Sequence, residues 1–359
     1  MASTTRFSLL DSWAANLDIL EPHDIHTTIH IEQDKDSKVS FKETRITSGA
    51  IPNMCEMART DKDATWLLRL VVTPQKYERV QTRRIPYSEA TIEAFKQHWN
   101  IPDICFQAPL QTETCCFQFS PIACDPAWSG FFLHLTYGLS FTSTVIITHN
   151  SDTRSTFGVY SGVDPSQVSH VVEKLCRTQS HAFQPELVPL CIMDLAVTQL
   201  RTFCYKTYSD FLPIREAMGI NLYYFPAQNF QSPELTHMPQ KLTALINVAA
   251  GNAAALQSTS DIIHYLGRIL QAVQPPTQLV VDMRDHLAFL QQILDGTRRK
   301  NEYMRESVQG IVQMVYAVLQ QKDNELNHRY GADMRMVAIV TLLFLPGTFV
   351  ATLFSASCE

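Results

Sequence analysis

From Met336 to Phe354 the chain runs for nineteen residues without a charge, MVAIVTLLFLPGTFVATLF. At 1.5 Å per residue a helix of that length spans about 28 Å, close to the ~30 Å hydrocarbon core of a bilayer. The run is longer than a buried core helix of a soluble protein needs, so a transmembrane helix over 336–356 is expected. What precedes it is equally restrictive. Val280, Met283, Leu287, Leu290, Leu294, Thr297, Asn301, Met304, Val308, Ile311, Val315 and Val318 follow strict 3,4 spacing, and ten of these twelve are apolar. Such an a/d seam predicts a coiled-coil-like stalk helix over 277–335. Unbroken from Val280 to Phe354, the helix would be roughly 110 Å long. No single globular domain is expected to bury such a rod, so partner helices are required.

The rest of the 359 residues divides into two parts. Residues 1–180 alternate short β-branched and aromatic runs with turn clusters, and an α/β domain is expected there. The predicted strands are His26–Glu32, Trp66–Thr73, Thr114–Phe119, Gly130–Tyr137, Thr142–Thr148 and Thr156–Tyr160. Between them, Ser88 is a candidate N-cap for a helix to Trp99, and Asp164 with Pro165 starts a helix to Thr178. Residues 183–275 read as two long helices, Pro185–Met218 and Pro239–Val273. Gly219 should end the first, Pro213 should kink or break it, and Gly251–Asn252 should loosen the second. Leu222–Gln231 reads as a linker, and Pro275–Pro276 stops the second helix before the stalk. The expected class is α+β: a cytosolic α/β domain, long antiparallel helices, a stalk and a C-terminal span.

Composition excludes some roles. A net charge of −6 lacks the basic footprint of a nucleic-acid binder, so nucleic acid is not an expected partner. The nine cysteines show no CxxC and no zinc-site spacing with histidine, which reads as reduced thiols in a cytosolic domain. The adjacent pair Cys115–Cys116 reads as buried strand rather than a redox pair. The N-terminal stretch carries Arg6, and Asp11 interrupts its apolar residues, so no signal peptide is expected. His23, His26 and His30 stand close together, but the last two share a strand-like run that His23 precedes. They read as a polar strand edge rather than a metal site. Asp61 and Asp63 lie in a charged loop and read as a solvated turn. With no GxSxG, P-loop or GxGxxG, no residue supports an enzyme or a bound cofactor.

The tail carries the remaining chemistry. Thr341, Thr348 and Ser355 recur every seventh residue, with Thr352 beside them. In a lipid-facing helix such hydroxyls bond back to the i−4 carbonyl. In a ring of helices the same stripe lines an aqueous pore. The spacing serves either arrangement. Pro346–Gly347 should kink the span and free a carbonyl near Leu342, which then needs a neighbouring helix or water. Arg329 and Arg335 precede the span, so the positive-inside rule places the large N-terminal part in the cytosol.

Two passages resemble the CorA family of divalent-cation channels, most closely its fungal CorA-like branch, often grouped with the zinc transporter ZntB. LLFLPGTFVATLF is similar to the family's first transmembrane helix, and Asp282-Met-Arg-Asp285-His286-Leu287 is similar to its Asp-x-x-Asp-His-Leu near the start of the stalk. The likeness covers about residues 183–354. It implies a homopentameric funnel embedded in a lipid bilayer, with Thr348 as the pore threonine; the hydroxyl stripe read from the spacing adds Thr341, Thr352 and Ser355 as pore-lining candidates. It also implies Mg²⁺ or Zn²⁺ as the transported or regulatory ion, with no other cofactor. By their own chemistry Asp282 and Asp285 read as carboxylates favourable near a helix start, a metal role being the alternative.

The chain departs from the family at the outer mouth. The family's Tyr-Gly-Met-Asn falls on Phe354-Ser355-Ala356-Ser357, so Ser355, Ala356 and Ser357 form a degenerate signature. Glu359 follows before any second transmembrane helix, as in a C-terminally truncated member. The expectation is therefore a member of the divalent-metal transport family that conducts poorly or not at all. The rival is a non-conducting, tail-anchored regulatory or scaffold protein.

Overall fold

A computed structural model of the chain describes residues 20, 22–57, 64–74, 85–111, 114–122, 125–137, 141–162, 164–218, 237–273 and 275–356; the side chains of 217, 343 and 352–356 are not described. The class is α+β. In chain order come β1 (Ile25–Gln33), β2 (Val39–Thr47), α1 (Ile51–Met57), β3 (Trp66–Pro74), α2 (Glu89–His98) and α3 (Asp103–Gln111). Then follow β4 (Cys115–Phe119), β5 (Trp128–Tyr137), β6 (Phe141–Asn150), β7 (Ser155–Gly162) and α4 (Pro165–Arg177). Three long helices finish the chain: α5 (Leu187–Ala217), α6 (Met238–Ala272) and α7 (Gln278–Ala356).

The seven strands form one sheet in the order β2-β1-β3-β7-β6-β5-β4. Every neighbouring pair is antiparallel except β3 and β7, which run parallel with Leu67 opposite Ser155. β3 lies mid-sheet, and all its residues but the last are buried. Its near-continuous apolar run, WLLRLVVTP, is the pattern of a strand covered on both faces. Alternation sends Leu68, Leu70 and Val72 into one core and Leu67 and Val71 into the other. The second core holds the aromatic side chains of α2 and α3, with the Phe95 and Trp99 rings 5.0 Å apart. The first core receives Val171 and Leu175 of α4 and the facing residues of α5, α6 and α7.

The predicted helix starts are present at the atomic level. The Ser88 hydroxyl accepts from the Thr91 N–H, and the Asp164 carboxylate accepts from the Ser166 N–H. All six predicted strands are present. Three elements escape the sequence reading. β2 is an edge strand exposed along most of its length, so it lacks the alternation that marks a half-buried strand. The other two, α1 and α3, are short, and α3 contains Pro109. The predicted break at Pro213 does not occur, since α5 runs through it to Ala217. Pro213 and Ser209, whose carbonyl loses its helical donor, are both on an exposed face of α5. Nor is α6 interrupted at Gly251–Asn252. Gly219, the 222–231 linker and Asp61 and Asp63 lie outside the described residues.

The chain divides into two compact units. The first takes the chain up to Lys206 together with Gly251–Asn301, and the second takes Thr207–Ala250 with the chain from Glu302. In the first unit Val280, Met283, Leu287, Leu290 and Leu294 pack with Leu195 and Leu200 of α5 and Leu256, Ile263 and Leu266 of α6. In the second, Met304, Val308, Ile311 and Val315 pack with Phe211, Met238, Leu242 and Ala249. The partner helices expected for the stalk seam are therefore the chain's own α5 and α6. Each fully buried aliphatic side chain of this kind contributes about 1.5–3 kcal/mol. Val318, the last seam position, is 39% exposed, and Leu319 beside it is the last residue of α7 partly buried against this core.

Candidate membrane-spanning segment

Among the described residues, cover on α7 ends at Leu319, which is partly buried against the core of the second unit. Between Gln320 and Val350 every residue with a described side chain is exposed. The apolar side chains there are bare on all sides, with Leu342 76%, Phe349 66% and Ile339 61% exposed. A helix that is apolar all round must be buried by something other than water. The helix remains continuous to Ala356, through Pro346 and Gly347. It is long and apolar enough to cross a membrane.

The hydroxyls of this segment bond to their own helix. Thr341 donates to the Val337 carbonyl at 2.6 Å. Thr348 donates to the carbonyls of Phe344 and Leu345 at 3.2 and 3.0 Å. Pro346 removes one N–H from this turn, and the Thr348 hydroxyl supplies a donor two residues on. Both threonines are exposed on one face, as their spacing requires. The side chains of Thr352, Ser355 and Ala356, and all of Ser357, lie outside the described part of the chain.

The family-like passage at the start of α7 is spread over different surroundings. The Asp282 carboxylate accepts from Gln278, one turn earlier, at 2.8 Å. Asp285 takes no part in the ion cluster that His286 joins. His286 Nε2 lies 3.1 Å from Asp194 Oδ1 of α5, whose other oxygen is 2.5 Å from Lys174 Nζ of α4. The hydrogen bond from His286, then the bond and charge of Lys174, hold the Asp194 carboxyl down to about 2 against the burial that opposes it. The arrangement ties three helices at one partly exposed point. Lys174 and Asp194 carry no local motif and could be found only through the fold. Two residues before His286 in the chain, Arg284 Nη2 donates to the Leu270 carbonyl at 2.6 Å, in the last turn of α6.

The N-terminal histidines have separate duties. His26 is buried, with Nδ1 2.7 Å from the Thr73 hydroxyl and Nε2 3.0 Å from the His23 carbonyl. Burial lowers its pKa. On the same strand, His30 accepts from Arg69 Nε through Nδ1 and reaches Glu32 through Nε2. Among the described residues, no three histidines, cysteines or acids converge as metal ligands. The seven described cysteines are free thiols, and Cys115 and Cys116 point to opposite faces of β4 as neighbours in a strand must. Compared with models of known protein families and with curated proteins, the chain matches none.

Proposed function

We propose that this chain is a CorA-like membrane protein of the divalent-cation transport class, anchored by α7 and assembled from copies of itself. The observation that carries the reading is one helix that passes without interruption from a buried seam to a bare, charge-free surface. In this reading the sheet-bearing unit is cytosolic, Mg²⁺ or Zn²⁺ is the cargo, and the stripe of Thr341, Thr348, Thr352 and Ser355 faces the path of the ion. The reading assigns the chain no catalytic step, no other cofactor and no nucleic-acid partner.

A second reading is a non-conducting, tail-anchored scaffold. It is favoured by the threonine hydroxyls, which are already bonded to their own helix and so tolerate lipid. One experiment separates the two. The full chain is reconstituted into vesicles loaded with a Mg²⁺- or Zn²⁺-sensitive dye, beside the variant Thr348→Leu. Transport predicts flux that falls about tenfold or more on losing the hydroxyl face. Equal, background-level signals from both proteins, each recovered in the vesicle membrane, decide for the scaffold.

A further inference from the structure

The sheet ends in two different edges. At one end β4 meets the chain's own α6, where the Gln118 N–H donates to the Tyr265 hydroxyl at 3.0 Å. At the other end β2 runs from Val39 to Thr47 with no proline or glycine, and Lys42, Glu43, Thr44 and Arg45 are exposed. Two backbone bonds fix which of its groups face outward. The Asp34 N–H donates to the Lys38 carbonyl at 3.1 Å, and the Ser48 N–H donates to the Asp24 carbonyl at 3.0 Å. Both pairs continue the register that sets Gln33 opposite Val39 and Ile25 opposite Thr47. Bonded and non-bonded positions alternate along an antiparallel pair. The even-numbered residues of β2 therefore bond to β1, while Val39, Phe41, Glu43, Arg45 and Thr47 turn their N–H and C=O groups to the open edge. Among the described residues nothing bonds to that row. An unpaired row of this kind is a template for another strand.

The charges on β2 decide which strand. Glu43 and Arg45 stand on the same face as Phe41, and neither forms an ion pair among the described residues. A second β2 running antiparallel can bond to the outward groups only where odd-numbered residues oppose odd-numbered ones. Centred on Lys42, Glu43 or Arg45, such a pair sets a charge opposite its own copy. Centred on Thr44, it sets Glu43 opposite the partner's Arg45 and Arg45 opposite the partner's Glu43. Lys42 then falls opposite the partner's Ile46, and Phe41 opposite the partner's Thr47. Opposite charges directly across an antiparallel pair stabilise it, and like charges destabilise it. Edge charges of a single sign would repel a second copy; these two complement themselves under a two-fold rotation.

We infer that β2 pairs antiparallel with the β2 of a second copy of this chain, centred on Thr44, and joins the two sheets edge to edge. The outward groups of Phe41, Glu43, Arg45 and Thr47 exchange the backbone bonds, and the two Glu43–Arg45 pairs set the register. The contact lies within the sheet-bearing unit, so it goes beyond the proposed function and holds whether or not α7 spans a membrane.

Thr44 falls at a non-bonded position, where opposed Cα atoms lie about 4.5 Å apart, within the span of a disulfide. The test uses the full chain in dodecyl-maltoside micelles, with copper phenanthroline as oxidant. Thr44→Cys should give a covalent dimer about tenfold above both the unsubstituted chain and Lys42→Cys, whose two copies would lie about 13 Å apart along the strands. On the Thr44→Cys background, Glu43→Arg and Arg45→Glu should each cut the dimer about fivefold. Mixing these two variants should restore it as a mixed dimer, which also shows that both are folded. Equal cross-linking at positions 44 and 42, single variants that pair as well as the parent, or a mixture that stays apart overturns the inference. Cation flux without the Thr44 dimer overturns this inference and leaves the proposed function standing. A Thr44 dimer in a chain that passes no cation keeps the inference and overturns conduction.

Discussion

Two helices among the described residues are long and apolar enough to cross a membrane, and the structure treats them in opposite ways. The most apolar stretch of α5 has a mean hydropathy of 1.4 and is 61% buried; that of α7 reaches 1.9 and has none of its residues buried. In α5 the apolar residues lie against the sheet and against α6 and α7, with Ile192 and Ala196 fully enclosed. In α7 the same kinds of residue stand bare around the whole circumference. Hydropathy measures how much a helix avoids water. It does not say whether the shelter is protein or lipid, and only the packing of the remaining chain separates the two.

The sharpest way to break this contrast is to place a charge on each helix. Ile192→Arg would bury an unpaired guanidinium in the main core. It should cost more than about 4 kcal/mol and leave the chain unfolded, as read by loss of the near-ultraviolet circular dichroism of the sheet unit. Leu342→Arg should leave that signal intact. It should instead weaken membrane insertion by about 3 kcal/mol, shifting the chain out of the carbonate-resistant membrane fraction. If Leu342→Arg unfolds the sheet unit while Ile192→Arg is tolerated, the assignment of the two helices is reversed.

A smaller effect tests where cover by the chain itself ends. Leu287→Ala should lower stability by about 2–5 kcal/mol, because it leaves a cavity among α5, α6 and α7. Val318→Ala, at the exposed last seam position, should change it by less than about 0.5 kcal/mol. Thermal unfolding of the solubilised chain measures both. Equal losses would mean that Val318 is covered by another molecule.

The smallest effect concerns the tie between α4, α5 and α7. Asp194 has a depressed pKa when folded, so its contribution is present above the unfolded value near 3.8 and is lost as pH falls towards about 2. With solvent screening allowed for, Asp194→Asn should cost about 1 kcal/mol at pH 7. The gap between variant and parent should close between pH 4 and 2. A gap that persists at pH 2 would mean that the carboxylate acts by packing alone.

Much of the architecture was legible in the residues, because local rules governed it. Six strands were marked by β-branched and aromatic runs. The caps Ser88 and Asp164 were visible because each serves its own first turn. The edge strand β2 was hidden because its exposed residues, Lys42, Glu43 and Arg45 among them, carry no period. Of the site residues, Thr341 and Thr348 fell on one face as seven-residue spacing dictates. His286 was noticed, but its partner Asp194 and the Lys174 that Asp194 also holds, 92 and 112 residues earlier in the chain, were not. No sequence period connects groups brought together by three separate helices.

By itself the sequence determined that α7 exists, that it is long, that one stripe of it must be covered, and that its last part carries no charge. Those are consequences of side-chain spacing along a helix, which every chain with this order of residues must obey. The tertiary structure alone decided what covers the stripe. A 3,4 seam presents the same apolar edge to a neighbour in the same chain or in another, and α5 and α6 reach it first because they are tethered to it. Their cover runs through Val315 to Leu319, and beyond it every described side chain of α7 is exposed.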